Sequence, residues 1–306
     1  MLAEPSWAIS WRADHEGESN GALEGKVAVV TGGTSGIGAR TAELFVEAGA
    51  SVAIAGRRRA NGERLAKKLG DAAIFVQADV SRESDVTAMI EQATARFGRL
   101  DCLVNNAGTG SRYDAIADID LDRFDAAIGV HVRGVLAGMK HAVPIMAAQK
   151  SGSIINVASI NGIQAGVGGI YYSVAKAATI HLTRCAAMEL GEKGIRVNTL
   201  SPGPIATGIF GKGAGIDHDE ADAHLEAAEA AISTILPRWQ PLPYVGRADD
   251  IAQAALFLAS DASRLLTGHN LVVDGGMSAG WSAGATRDAL AGFRKAVQTS
   301  LSKQPA

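Results

Sequence analysis

The residues best suited to chemistry are a tyrosine and a lysine near the start of a predicted helix. Tyr172 and Lys176 are four residues apart, so in an α-helix they lie about 40° apart around the axis, one turn above the other. A free phenol, with a pKa of about 10, is a poor acid or base at neutral pH. Because a neighbouring ammonium favours the phenolate, we expect Lys176 to lower the pKa of Tyr172 toward the range where general acid–base catalysis is efficient.

Two other residues narrow this hypothesis. Tyr171 is five residues from Lys176, about 140° away around the helix, so it cannot share that face and the chemistry is assigned to Tyr172. Ser159 ends a predicted strand thirteen residues before Tyr172 and can offer its hydroxyl to the same substrate oxygen across a Gly-rich loop. Tyrosine and lysine at this spacing are also common on helix surfaces, so the hypothesis depends on the surrounding fold.

The composition is that of an ordinary soluble globular protein. Hydrophobic residues make up 47% and charged residues 20% of the 306 positions, which allows a large core. The net charge of −3 gives no reason to expect nucleic acid or an anionic membrane as a partner. The N-terminus lacks the apolar core of a signal peptide, and no stretch has the apolar length of a membrane helix, so a cytoplasmic enzyme is expected.

Cys102 and Cys185 lie in apolar contexts on a predicted strand and a predicted helix. Such contexts favour buried free thiols over a disulfide. No metal site is predicted.

From Lys26 onward, short apolar runs alternate with helical patterns. Continuous apolar strands that alternate with helices are typical of a parallel sheet covered on both faces. We therefore predict an α/β fold: a single doubly wound, Rossmann-type parallel sheet of about seven strands with helices on both faces. The predicted strands are 27–31, 51–55, 73–77, 100–105, 154–157, 196–200 and 269–273, and the predicted helices include 83–97 and 124–146.

A glycine-rich turn, TGGTSGIG over residues 31–38, follows the first strand and opens the first helix. Glycines there allow a sharp turn and a close approach to a pyrophosphate, which the helix N-terminus attracts. The spacing is Gly-x3-Gly-x-Gly, not the commoner Gly-x-Gly-x2-Gly. The turn predicts a dinucleotide site whose ligands include Gly32, Thr34, Ser35, Gly36, Ile37 and Gly38.

The end of the second strand bears on the choice of cofactor. An acid at this point would bind the 2′-hydroxyl of NAD, but the chain has Gly56 followed by Arg57, Arg58 and Arg59. The missing carboxylate removes repulsion against a 2′-phosphate, and arginine supplies charge-assisted contacts to it. NADP is therefore favoured over NAD, with Arg57 and Arg58 as candidate ligands. The alternative is that these arginines only begin a solvated helix.

Taken together, the motifs resemble the classical short-chain dehydrogenase/reductase family over about residues 24–278. The resemblance implies that Asp79 and Val80 flank the adenine. It further implies that the adenosine side of the cofactor is lined by three residues after the fourth strand, Asn106, Ala107 and Gly108. The nicotinamide carboxamide would be held by a later segment, with Pro202, Gly203, Ile205 and Thr207. The motifs that carry the resemblance are TGGTSGIG, Asp79-Val80, Asn105 to Gly108, Ser159 with Tyr172 and Lys176, Ser201-Pro202-Gly203 and Asp274-Gly275-Gly276.

The resemblance also implies a reaction, namely hydride transfer between a nicotinamide cofactor, NADP or NAD, and the carbon of a secondary alcohol or ketone. Tyr172 would exchange the hydroxyl proton, Ser159 would hydrogen-bond the same oxygen, and Lys176 would also bind the nicotinamide ribose. The family commonly forms tetramers through its long helices, so a homotetramer, or a homodimer, is expected.

One position departs from the family pattern. The long helix of relatives carries an asparagine that helps to hold a water near the lysine, and alignment of Gly134 places His131 there. A histidine could preserve that water, could relay protons near its ordinary pKa of about 6.5, or could be a packed side chain. His131 is therefore a candidate fourth catalytic residue beside Ser159, Tyr172 and Lys176.

Domain limits follow from the same resemblance: an N-terminal extension over 1–24, the catalytic domain over 25–278 and a C-terminal extension over 279–306. Residues 208–246, with several glycines and a predicted helix over 219–235, are expected to form a substrate lid. Ile209, Phe210, Leu236, Trp239 and Tyr244 offer apolar surface there, which favours an apolar, cyclic alcohol or ketone. Beyond Gly276, apolar residues at helical spacing predict a terminal amphipathic helix. They are Leu290, Phe293, Val297 and Leu301.

Two functional alternatives remain open. A 3-oxoacyl-[acyl-carrier-protein] reductase shares the same three catalytic residues, and some relatives with damaged sites are non-catalytic cofactor sensors. The intact Ser159, Tyr172 and Lys176 argue against a sensor. An enoyl reductase is disfavoured because it typically has a wider spacing between tyrosine and lysine.

Overall fold

The computed structural model describes residues 21–110, 112–209 and 225–301, and these contain one seven-stranded sheet. The central strands are short runs of buried aliphatic residues, as expected of strands covered on both faces. The strands are β1 (Val27–Thr31), β2 (Ser51–Gly56), β3 (Ala73–Gln77), β4 (Cys102–Asn105), β5 (Gly152–Val157), β6 (Ile195–Pro202) and β7 (Asn270–Val273).

All neighbouring strands are parallel, in the order β3-β2-β1-β4-β5-β6-β7. The chain moves outward from β1 to β3, then returns to β4 and moves out on the other side. The connections therefore diverge between β1 and β4, and such a switch point opens a crevice beyond the carboxyl ends of the strands. The doubly wound Rossmann-type fold predicted from the sequence is confirmed.

Helices cover both faces of the sheet. On one face Phe45 and Ile251, from two helices, are buried in the same core as Ile54 of β2. On the other face Met89 and Met146, from two other helices, are buried in a second core. The helices are α1 (Gly36–Glu47), α2 (Arg59–Leu69), α3 (Glu83–Phe97), α4 (Leu121–Ile128), α5 (Gly134–Gln149), α6 (Ile170–Leu190), α7 (Leu225–Trp239), α8 (Ala248–Ala259) and α9 (Ala283–Leu301).

Three differences from the sequence predictions are larger than a shift of one or two residues at the end of a strand. The long helix predicted over 124–146 is two α-helices joined by a π-helical turn, Gly129–Arg133. The lid helix predicted over 219–235 is described over Leu225–Trp239 and ends four residues later than predicted, while its predicted start lies among residues 210–224, outside the described part. Cys102 is buried as expected, but Cys185 is exposed, because its position on α6 faces away from the sheet.

Among the described residues, no helix combines the length and apolarity needed to cross a membrane. Helix α9 occupies the predicted C-terminal extension, and its side chains Leu290, Phe293 and Val297 are exposed. Residues 1–20 and 302–306 of the two extensions lie outside the described part.

Candidate active site

A cavity of about 690 Å³ opens at the carboxyl ends of the strands, at the switch point of the sheet. Residues from the turn after β1 line one end of it, and residues from β5, α6 and the segment after β6 line the other. All the cofactor and catalytic candidates from the sequence lie in this lining. They are Gly32, Thr34, Ser35, Gly36, Ile37, Gly38, Arg57, Arg58, Asp79, Val80, Asn106, Ala107, Gly108, His131, Ser159, Tyr172, Lys176, Pro202, Gly203, Ile205 and Thr207.

The glycine-rich turn is packed directly against the loop after β4. A Cβ atom at Gly38 would lie 2.5 Å from Nδ2 of Asn106 and against the carbonyl oxygen of Gly32. Gly32 itself has φ +64°, where other residues are strained. These glycines therefore permit the backbone packing that places the start of α1 at the cavity.

The first turn of α1 is suited to an anion. Its N-cap residue, Ser35, makes no side-chain capping bond, and the Ser35 hydroxyl instead accepts a 2.6 Å hydrogen bond from the guanidinium of Arg58. The first backbone N–H groups of a helix lack intrahelical partners and carry partial positive charge. Together with Arg57 and Arg58 in the lining, they form a positive end of the cavity that fits a phosphate group.

Thr31 positions the loop after β4, a role that the sequence did not predict. Its hydroxyl oxygen accepts hydrogen bonds from the backbone N–H groups of Asn106 and Ala107, each at 3.0 Å. The side-chain amide of Asn106 donates back to the carbonyl oxygen of Thr31 at 2.9 Å. The end of β1 is thus held against the loop that follows its neighbouring strand, β4.

Asp79 lies at the expected edge of the cavity, after β3. Its carboxylate accepts two hydrogen bonds from Ser81, from the backbone N–H at 3.0 Å and from the hydroxyl at 2.7 Å. Partial burial raises the pKa of Asp79, but the Ser81 hydrogen bonds and the charges of Arg57 and Arg82 outweigh it, so the net pKa is lowered. The carboxylate is therefore ionised and fixed in position.

The catalytic candidates converge where β5 leaves the sheet and α6 begins. Tyr172 and Lys176 are both buried on α6, and Nζ of Lys176 lies 5.5 Å from the centroid of the Tyr172 ring. The ammonium of Lys176 donates to the carbonyl oxygen of Val157 at 2.7 Å. The hydroxyl of Ser159 hydrogen-bonds the hydroxyl of Tyr172. Three groups capable of proton exchange therefore lie together.

The neighbouring Tyr171 points elsewhere, in agreement with its helical position. Its hydroxyl accepts a hydrogen bond from the backbone N–H of Arg112 at 3.2 Å, and its buried ring packs with Phe124 and Ala127. Tyr171 is also absent from the cavity lining formed by the described residues.

His131 lies in the π-helical turn and is buried. Its ring meets the Tyr172 ring edge to face, with 5.3 Å between centroids. The backbone N–H of Thr109 donates to Nε2 at 3.2 Å, which makes Nε2 an acceptor and places the proton on Nδ1. Burial, then the charge of Lys176, lower the pKa of His131 well below its ordinary value of 6.5. The imidazole is neutral at physiological pH.

Comparisons with known proteins agree with this geometry. The family model described as Enoyl-(Acyl carrier protein) reductase matches residues 32–278. Momilactone A synthase of Oryza sativa subsp. japonica is 43% identical over 260 residues, covering 84% of this chain and 91% of the relative. Tropinone reductase-like 1 of Erythroxylum coca is 41% identical over 260 residues, with the same two coverages. The (+)-borneol dehydrogenase 2 of Salvia officinalis is 39% identical over 286 residues, covering 89% and 94%.

The chain belongs to the short-chain dehydrogenase/reductase family. It is accordingly an oxidoreductase of the alcohol dehydrogenase and reductase type.

The electrostatics of this short-chain dehydrogenase differ from the sequence expectation. Burial raises the pKa of Tyr172 to about 12, and the hydrogen bond from Ser159 offsets only part of that rise. Burial also lowers the pKa of Lys176 to about 7. The expected lowering of the tyrosine pKa is therefore not observed, because removal from water disfavours both the phenolate and the ammonium that would stabilise it.

Apolar side chains line the end of the cavity away from the glycine-rich turn, the candidate substrate end. Val167, Ile209 and Trp239 line it, together with the polar side chain of Asn161. Of the lid residues proposed from the sequence, Ile209 and Trp239 therefore reach the cavity. Tyr244 is half-exposed and outside the described lining, and Phe210 and the Leu236 side chain lie outside the described part.

Buried amides connect strands β4 and β5 to helix α6. The amide nitrogen of Asn105 donates to the side-chain oxygen of Asn156 at 2.8 Å, and the amide nitrogen of Asn156 donates to the Thr183 hydroxyl at 2.9 Å. This connection joins β4, β5 and α6 beneath the site. The sequence signal that could have found it is an asparagine near the end of each of two mainly apolar strands.

Proposed function

We propose that the protein is an NAD(P)-dependent oxidoreductase that interconverts a secondary alcohol and a ketone on an apolar, cyclic substrate. The observation that carries the proposal is the meeting of Ser159, Tyr172 and Lys176 in one cavity whose other end is positive. The described part of the chain holds no cluster of three metal-ligating side chains. The nicotinamide, when bound, supplies or accepts the hydride.

In ketone reduction, Tyr172 donates its phenolic proton to the substrate oxygen, and the hydroxyl of Ser159 hydrogen-bonds the same atom. Burial suits this step because it keeps the phenol protonated, with a pKa of about 12. In alcohol oxidation, Tyr172 must first be a phenolate. Lys176 stabilises that phenolate when protonated, and its pKa of about 7 lets it gain or lose a proton near physiological pH.

His131 acts in this proposal as a neutral packing and hydrogen-bonding residue that supports the Tyr172 ring. Because its pKa is well below 6.5, a relay through the imidazolium form is disfavoured. The variant His131→Asn should therefore leave the apparent pKa values of the pH–rate profile above pH 6.5 unchanged. Loss of an ionisation in that range would instead assign His131 a proton-transfer role.

NADP is the favoured cofactor. Arg57 is exposed and lines the cavity beyond β2, and among the described lining residues Asp79 is the single acid. A 2′-phosphate beside Arg57 would gain charge-assisted hydrogen bonds. Fluorescence titration should show tighter binding of NADPH than of NADH. In Arg57→Glu we expect the NADPH Kd to rise about 10- to 100-fold while the NADH Kd changes little; equal changes would contradict the assignment.

The proposed substrate class rests on the apolar side chains Val167, Ile209 and Trp239. It is supported by the names of the relatives, which include a borneol dehydrogenase and a tropinone reductase-like protein. A turnover screen with borneol, bicyclic ketones and simple cyclic ketones tests it directly. Turnover of none of them, with either cofactor, would overturn the proposal.

A second candidate is reduction of a carrier-bound 3-oxoacyl thioester. The description of the matching family model names an acyl-carrier-protein reductase, and such an enzyme uses the same three catalytic residues. Saturation by a 3-oxoacyl thioester without turnover of a free cyclic ketone would favour it.

The proposed assembly is a homotetramer or homodimer through the long helices. Leu136 on α5 and Val174 and Met188 on α6 are exposed apolar side chains on the two long helices, and burial of such side chains would favour a subunit contact. Light scattering after size-exclusion chromatography should give the assembly mass. The Met188→Glu variant should elute as a smaller species.

A further inference from the structure

Two tyrosine hydroxyls connect the loops on either side of the catalytic residues. The hydroxyl of Tyr171 accepts a hydrogen bond from the backbone N–H of Arg112, and the hydroxyl of Tyr113 donates one to the carbonyl oxygen of Gly166. Both bonds are 3.2 Å long. Arg112 and Tyr113 lie after β4, whereas Gly166 lies after β5. We call Tyr171, Arg112, Tyr113 and Gly166 the tyrosine clasp.

The Tyr171 hydroxyl can be removed by substitution while the packing of the ring is kept. The side chain is 6% exposed, and the ring packs with Phe124 and Ala127 of α4. A phenylalanine would fill the same apolar space. A buried tyrosine hydroxyl needs a hydrogen-bond partner, and in the described part of the chain that partner is the Arg112 N–H.

The clasp ends beside the substrate end of the cavity. Val167, which lines that end, directly follows Gly166. Gly166 has φ +84°, and the position that a Cβ would take has no heavy atom within 4 Å. The hydrogen bond from the exposed Tyr113 side chain is therefore a contact that connects the Gly166 backbone to the loop after β4. On the other loop, Thr109 lines the cavity and contacts His131.

We propose that Tyr171 is a positioning residue for the substrate. Through Arg112 and Tyr113 it holds Val167 against the substrate end and so sets the room available to a bulky alicyclic alcohol or ketone. The inference rests on the proposed function for the identity of the ligand. It gives two adjacent tyrosines different tasks: Tyr172 exchanges the proton, and Tyr171 positions the wall.

The test compares the variants Tyr171→Phe, Tyr113→Phe and the double variant with the wild-type enzyme. Each single variant should raise the KM of a bicyclic ketone about 2- to 10-fold, the effect of one lost net hydrogen bond. The kcat, the NADPH Kd and the KM of cyclohexanone should not change. Both hydroxyls act in one connection between the two loops. The fold increase in KM in the double variant should therefore equal the larger of the two single-variant increases, not their product.

A purely structural role predicts a different pattern. In that case Tyr171→Phe would lower Tm and would change kcat, the NADPH Kd and both KM values together, and the proposal would be wrong. An unchanged KM for the bicyclic ketone, or multiplied effects in the double variant, would also overturn it.

Amide hydrogen exchange tests the clasp without any substrate. Residues 112–115 and 164–168 should exchange faster in Tyr171→Phe, while the amides of β1 and β5 should not change. If wild-type enzyme reduces no ketone, the proposed function fails, and this exchange experiment alone decides whether the clasp holds the two loops. Unchanged exchange in both segments would reject the clasp itself.

Discussion

The two ends of the cavity are built by different means. At the cofactor end, glycines and backbone groups set the shape: Gly38 packs against Gly32 and Asn106, and the Thr31 hydroxyl binds two backbone N–H groups. At the substrate end, the wall consists of side chains such as Val167 and Trp239 from separate segments. The cofactor end depends on contacts within short motifs, whereas the substrate end depends on how distant segments are positioned.

This difference predicts which substitutions change cofactor binding and which change substrate specificity. Changes among the glycines should damage cofactor binding, since a backbone approach cannot be restored by another side chain. Changes at the substrate wall should alter substrate choice and leave the cofactor site intact. The proposed catalytic residues Ser159, Tyr172 and Lys176 lie toward the substrate end, and changes at them should affect turnover most.

The largest expected effect is that of Tyr172→Phe. Loss of the proton-exchanging hydroxyl should reduce kcat about 10²- to 10⁴-fold, while the retained ring keeps its packing against His131. Single-turnover kinetics and NADPH titration measure the two quantities. Weakened cofactor binding with unchanged turnover per bound cofactor would contradict the assigned role.

The stability of the apo-protein should depend on pH through Lys176. Its pKa is lowered from 10.5 to about 7 by burial, so between these values the unfolded state binds a proton that the folded state does not. The unfolding free energy should therefore rise with pH between pH 7 and pH 9.5, and fall as the pH is lowered through the same range. The change over this range should be about 2 to 3 kcal/mol larger in the wild-type protein than in Lys176→Met. Urea titrations of both proteins at several pH values measure this; parallel pH profiles would show that Lys176 is not the cause.

An added methyl group at the cofactor end should also lower the stability of the protein. In Gly38→Ala the new Cβ would meet the Gly32 carbonyl and Asn106, and such overpacking costs about 1 to 3 kcal/mol. We expect lower stability and weaker NADPH binding. Gly292→Ala is the matched control, since no heavy atom lies within 4 Å of its Cβ position. Equal behaviour of the two variants would remove the steric explanation.

The smallest expected effect is at the substrate end. Trp239→Ala removes apolar surface from the cavity wall, so the KM of a bicyclic ketone should rise about 3- to 10-fold with little change in the NADPH Kd. Steady-state kinetics with a bulky and a small ketone distinguish this from a general defect. A shifted NADPH Kd would mean that the two ends are not independent.

Much of the fold could be predicted from the sequence. Strands β1 and β3 and helix α3 have the predicted bounds, because continuous apolar runs and helical periodicity are local signals. The cofactor and catalytic candidates also line one cavity, since carboxyl ends of parallel strands meet at one edge of a sheet. The family assignment was confirmed by comparison.

Other features of the structure could not be predicted from local sequence patterns. The π-helical turn at Gly129–Arg133 interrupts a helix whose sequence pattern is continuous. Exposure of Cys185 depends on which face of α6 meets the sheet. The side-chain directions of Tyr171 and Tyr113 depend on loops whose paths the pattern does not specify.

The order of amino acids alone determined the alternation of apolar strands and helices that predicts a parallel sheet, the glycine-rich turn and the spacing of Tyr172 and Lys176, because each is a pattern of residues close together in the chain. Only the tertiary structure decided the raised pKa of Tyr172, the lowered pKa of Lys176 and the neutral state of His131. The physical reason is desolvation, because the degree of burial is set by segments far apart in sequence.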